Sequence, residues 1–285
     1  MHGLRAREDG DHRGQDRGVV RLQAHEQPLL LRRQPLQAVT HRVPAESKQL
    51  IAAARELCAE VDRLRFKLPV THVYNPLDYA RAAHEKYLRK FGGGKKRVVF
   101  LGMNPGPFGM VQTGIPFGEV AAVRDWLKIS AKVGAPEDFN PKRPVLGFHC
   151  PNSEVSGRRL WGLFKERFGA PEIFFKGHFI VNYCPLAFVE AGGANLTPDK
   201  LPPSEKIPLL KICDTHLRRV LEILEPEWLV GVGGWAEARA EIVAADLKIN
   251  VGQMLHPSPA SPKANRGWAK LATEELVALG VWKQE

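Results

Sequence analysis

From Ser47 onward, apolar residues recur at helical spacing. Leu50, Ile51, Ala54, Leu57, Cys58, Val61 and Leu64 share one face of a helix that Pro69 must end. Four short apolar or β-branched runs follow, at residues 97–101, 179–182, 228–232 and 249–255, and each predicts a strand. Helical patterns lie between and after them, at 119–133, 156–168, 205–224, 236–247 and 268–279. Strands alternating with helices imply right-handed crossovers and a parallel sheet covered on both faces. The predicted fold class is α/β, a three-layer α/β/α domain with a central four-stranded parallel sheet. Ligands bind such sheets at the carboxyl edge, and here every strand runs at that edge into Gly, Pro and polar residues.

Residues 1–46 break the pattern. They hold eight Arg, no Lys, six acids and four of the ten His, with apolar clumps that follow no period. A poorly ordered tail is expected there, followed by one catalytic domain over residues 47–285. The formal charge of +10 falls only to +8 without the tail, so the basic surplus belongs to the folded part. Such a surplus favours a polyanionic partner, because each Lys or Arg on a phosphate releases a condensed counterion. No window of 18 uninterrupted apolar residues exists, so no membrane partner is expected. Cys58, Cys150, Cys184 and Cys213 form no CxxC pair, which argues against a zinc ribbon and for a reduced, intracellular protein. No metal or cofactor is expected.

The chemistry sits after the strands. The first leads into Gly102-Met103-Asn104-Pro105-Gly106-Pro107-Phe108-Gly109-Met110 and on to Pro116-Phe117-Gly118. This loop is too rich in Gly and Pro to be a mere connection, and its glycines let backbone approach a ligand closely. The second strand ends in Asn182, whose carboxamide offers one acceptor beside one donor. That order complements N3–H and O4 of uracil and mismatches cytosine, although an internally satisfied Asn fits the segment equally. The third strand leads into Gly231-Val232-Gly233-Gly234-Trp235-Ala236, a GxGxxA match that would suit a nucleotide cofactor. Its ribose-binding carboxylate is lacking, since the next strand ends in Leu255-His256-Pro257. The fourth strand opens a stiff loop holding His256, Ser258, Ala260, Ser261, Lys263 and Arg266 between three prolines.

Together these segments resemble the uracil-DNA glycosylase superfamily, and within it the single-strand-selective monofunctional branch. Residues 102–118 are similar to that family's first motif and residues 256–268 to its second. Val73-Tyr74-Asn75-Pro76, Cys150 to Gly157 and Asn182 to Leu186 are similar to family segments as well. The resemblance implies a hydrolase that flips uracil, and oxidised uracils such as 5-hydroxymethyluracil, out of DNA and cuts the N-glycosidic bond. It implies base excision repair without lyase activity, on single- and double-stranded DNA, by a monomer in a bacterial nucleoid or a eukaryotic nucleus. Asn104 would position the attacking water and His256 would donate to uracil O2. Phe117 would stack on the flipped base, Asn182 would read its edge, and Met103 and Gly106 would line the C5 side. Ser153, Asn195, Lys200, Ser258, Ala260, Ser261, Lys263 and Arg266 would meet DNA, the last five on a wedge loop and Asn195 and Lys200 on a flanking loop at 192–206. Animal members carry a long basic side chain where this wedge has Ala260. Two rivals stand beside this reading: a nucleotide-cofactor enzyme built on the 231–236 turn, and a DNA-binding member of the superfamily without catalysis.

Overall fold

The computed structural model describes residues 43–284. In chain order its helices and strands are α1 (Ala45–Val61), β1 (Val70–Tyr74), α2 (Pro76–Tyr79), α3 (Arg81–Phe91), β2 (Val98–Gly102) and α4 (Met110–Thr113). Then come α5 (Val155–Phe168), α6 (Pro171–Gly177), β3 (His178–Asn182), β4 (Ala187–Glu190), β5 (Asn195–Leu196) and α7 (Pro203–Leu224). The chain closes with β6 (Trp228–Val232), α8 (Gly234–Ala244), β7 (Asn250–Met254) and α9 (Trp268–Ala278).

The four predicted strands form one parallel sheet in the order β3-β2-β6-β7. All five residues of β2 are buried, as suits a central strand covered on both faces. Helices flank it to give three layers: α1, α3 and α7 pack together, as do α5, α6 and α9. Aromatic rings fill the layer under β2. Phe164 stacks on Phe174 with centroids 4.4 Å apart, and Phe100 lies 5.2 Å from Phe164. His178 stacks on Phe174 in the same layer, and burial drives its pKa down to about 4, so it is neutral.

Three expectations change. The 119–133 segment forms only a π-helical turn at Ala122–Trp126, because Lys128 adopts a left-handed φ of 54° that no helix continues through. A second sheet, antiparallel in the order β1-β4-β5, was not foreseen. It takes up part of the 192–206 segment, where β5, a 3₁₀ turn at Pro198–Lys200 and the start of α7 replace the expected open loop. The tail expected at 1–46 lies outside the described residues except for its last four, and of these Ala45 and Glu46 already open α1.

Candidate active site

Register brings the predicted residues to one edge. Gly102 pairs with Asn182 across β2 and β3, and Val232 pairs with Met254 across β6 and β7. The ladder continues past the strands. Tyr183 N–H donates to Gly102 O and Cys184 N–H to Met103 O, each at 2.9 Å, which clamps the first-motif loop to the loop after β3. The carbonyl of Met103 is thus already engaged.

Gly102 is the hub. A Cβ there would lie 2.3 Å from Asn182 Oδ1 and 2.7 Å from the Phe117 ring, so only glycine lets the carboxamide and the ring converge. Asn182 Nδ2 donates to Met110 Sδ at 3.2 Å, which orients the amide and leaves Oδ1 and the second N–H for a ligand. Phe117 is held at φ 52°, a left-handed conformation that costs about 1–3 kcal/mol in a non-glycine residue. Its carbonyl receives Trp161 Nε1–H at 2.9 Å and Glu119 N–H at 2.7 Å. Gly157 makes room for that oxygen, since a Cβ there would come within 2.1 Å of it.

Asn104 Nδ2 donates to the Leu186 carbonyl at 3.3 Å, which turns Oδ1 into the free acceptor. Gly106 and Gly109 lie against the Glu154 side chain, which caps α5 by accepting Gly157 N–H at 2.9 Å. Burial pushes the Glu154 carboxyl pKa up.

His256 lies two residues beyond the end of β7. Ser258 N–H donates to its Nδ1 at 3.0 Å, so the neutral ring carries its proton on Nε2. Burial lowers its pKa below the ordinary histidine value, which favours that neutral form. Its ring lies 6.4 Å from that of Phe117, tilted by 48°. Gly233, at φ 92°, lets the imidazole pack close, with a Cβ there only 3.1 Å from His256 Cβ. Gly231 and Gly233 therefore have a packing reason: a Cβ at Gly231 would also strike the α8 backbone, 2.2 Å from Glu237 N.

The remaining candidates divide. Ala260, Lys263 and Arg266 are exposed on the second-motif loop, where Ser258 Oγ accepts Ala260 N–H and Ser261 N–H donates to Ser258 O. Ser153 is exposed, but its hydroxyl already donates to Glu119 and accepts from Arg158. Asn195 and Lys200 belong to β5 and the turn beyond it, held by the antiparallel sheet and not by the parallel sheet's edge. Sequence reasoning missed Met110, Glu154, Gly157 and Arg159. Of these, Met110, Glu154 and Gly157 lay in segments the family resemblance marks, and only Arg159 lay outside them. All four cysteines are free and buried, and among the described residues no cluster of His, Cys, Asp and Glu could hold a metal.

Residues 89–277 match the family model described as the Uracil DNA glycosylase superfamily. A crystal structure of wild-type Pedobacter heparinus SMUG2 superposes with a TM-score of 0.58 at 19% identity, covering 80% of this chain and 97% of that one. That likeness concerns the fold. The single-strand selective monofunctional uracil-DNA glycosylase of Rattus norvegicus is 51% identical over 79% of this chain and 82% of its own length. Its Bos taurus counterpart is 49% identical over 78% and 82%. The chain belongs to the uracil-DNA glycosylase superfamily and, within it, to the single-strand-selective monofunctional family.

Proposed function

We propose that this protein flips uracil out of DNA and hydrolyses its N-glycosidic bond, leaving an abasic site for base excision repair. The observation that carries the proposal is the Ser258 N–H on His256 Nδ1, which leaves a neutral Nε2–H donor at the sheet edge shared with Asn182 and Phe117. Bond cleavage leaves an oxocarbenium-like sugar and a uracil anion, so a fixed donor at O2 lowers the barrier. Asn104 cannot accept a proton at neutral pH, and its Oδ1 positions the attacking water. Asn182 reads N3–H and O4, Phe117 stacks on the base, and Met103 and Gly106 border C5, where oxidised uracils carry their substituent. Single- or double-stranded DNA crosses the wedge loop at Ser258, Ala260, Ser261, Lys263 and Arg266, with Ser153, Asn195 and Lys200 at its flanks. The enzyme acts as a monomer without lyase chemistry, in the compartment that holds the genome. Among the described residues no helix is long and apolar enough to cross a membrane.

The test is a uracil-containing oligonucleotide followed by alkaline cleavage of abasic sites. Wild-type protein should give the shorter product. H256A should lower the single-turnover rate by roughly 10²–10³ with little change in DNA affinity, the size of one lost oxyanion donor. A wild-type rate in that variant removes His256 from the mechanism.

A further inference from the structure

Arg159 lies on α5, outside both motifs, and its guanidinium reaches across to the second-motif loop. Nη1 donates to the Pro257 carbonyl at 2.9 Å and Nη2 to Asn265 Oδ1 at 3.0 Å. The Pro257 carbonyl and the Ser258 N–H are two ends of one planar peptide group. Ser258 N–H is the donor that caps His256 Nδ1. A cation bonded to the oxygen end draws electron density out of the amide and strengthens its N–H as a donor. A stronger donor on Nδ1 resists protonation there and makes Nε2–H the better donor in turn.

We propose that Arg159 is a positioning residue for His256, acting through the 257–258 peptide to hold the imidazole neutral with its proton on Nε2 and to strengthen that donor toward the leaving base. The inference rests on the role given to His256 above. The groups against the ring itself, Gly233 and Phe117, are uncharged. Charged groups on neighbouring elements include Glu275 of α9, which accepts Leu255 N–H, with Lys270 and Glu274 on the same helix, Glu237, Arg239 and Glu241 of α8, and Lys263 and Arg266 in the loop. Of these and Arg159, only Arg159 is joined to the ring by a continuous chain of hydrogen bonds through the peptide that caps it. Its second branch, to Asn265, braces the loop without touching that peptide: Asn265 Nδ2 donates to Pro259 O at 2.8 Å.

The two branches separate relay from brace. R159Q removes the charge, and the readouts are the His256 titration in long-range ¹H–¹⁵N spectra and the single-turnover rate against pH. The His256 midpoint should rise, the acid limb of the rate profile should rise with it, and the neutral-pH rate should fall roughly tenfold. R159K keeps the charge and one donor and should lie between R159Q and wild type. N265A cuts the other branch and should leave the His256 midpoint in place. In an H256A background R159Q should cost little more, because the residue it acts through is gone. An unmoved His256 midpoint in both R159Q and R159K, or equal losses with and without His256, overturns the inference. Full activity in H256A alone would instead overturn the role of His256, whereas the titration reads the relay with no substrate present.

Discussion

The two motif loops cross the same sheet edge and are built in opposite ways. The first is embedded: from Gly109 to Pro116 every residue is buried. Gln112 sits at its centre, with Nε2 donating to Pro107 O and Pro144 O and Oε1 accepting Leu146 N–H and Gly147 N–H. The second loop is presented: Pro259, Ala260, Pro262, Lys263, Asn265, Arg266 and Gly267 are exposed, and Ala264 is its buried anchor. Prolines and a few hydrogen bonds hold it in place of packing. A pocket that must reject wrong bases needs walls that do not yield, whereas a segment that probes DNA needs access with little entropy to lose. The difference in construction fits the tasks proposed for the two loops.

The largest effect should come from the place where α5 presses on the embedded loop. Gly157→Ala puts a methyl group where the Phe117 carbonyl now lies 2.1 Å from the ideal Cβ position. Either the oxygen leaves Trp161 Nε1 or α5 retreats, and both shift the Phe117 ring. Misplacement on the order of 1 Å costs roughly 10² in rate, with about 1–3 kcal/mol of stability lost to overpacking. Single-turnover excision and thermal unfolding check both numbers, and a variant with normal rate would show that Phe117 does not depend on this contact.

How far the sequence foretold this arrangement depends on whether a signal is local. The strands β2, β3 and β6 were legible because buried strands read as apolar runs. The edge strand β7, with Gln253 inside it, was legible because it follows the helical pattern after β6 in the same alternation. The antiparallel sheet was not, because β4 and β5 are short and β1 carries Thr71 and His72 among its apolar residues. Asn104, Asn182 and His256 were found because each ends or follows a strand at the ligand edge. Arg159 was not, because an Arg in an amphipathic helix looks like any solvated charge, and only the fold sets it against Pro257. Lys128 defeated the 119–133 helix for a related reason: apolar spacing says nothing of a backbone that turns left-handed at one residue.

A matched pair of substitutions tests embedded against presented directly. Gln112→Ala strands the buried Gly147 N–H, the part-buried Leu146 N–H and two carbonyls, and should cost about 2–3 kcal/mol in chemical denaturation. Asn265→Ala also removes two hydrogen bonds, but in an exposed loop where water replaces them, and should cost about 1 kcal/mol or less. Equal losses would mean that both loops are equally integrated with the core.

The smallest effect is expected at the tip of the presented loop. Ala260 is exposed, and its backbone N–H donates to Ser258 Oγ at 3.2 Å, so its side chain supports nothing in the fold. Ala260→Arg should therefore leave the stability within about 0.5 kcal/mol of the parent. When a base is flipped from a duplex, the stack keeps a hole that a methyl group fills poorly. An arginine stem fills more of it, and its guanidinium can meet a phosphate or stack on a neighbouring base. Excision from duplex DNA should rise by about 3–10-fold, while single-stranded substrate, with no partner strand to displace, should change little. Each added phosphate contact also steepens the salt dependence of duplex binding by about one unit of log–log slope. A duplex to single-strand rate ratio that stays at the parent value would show that the tip of this loop does not enter the helix.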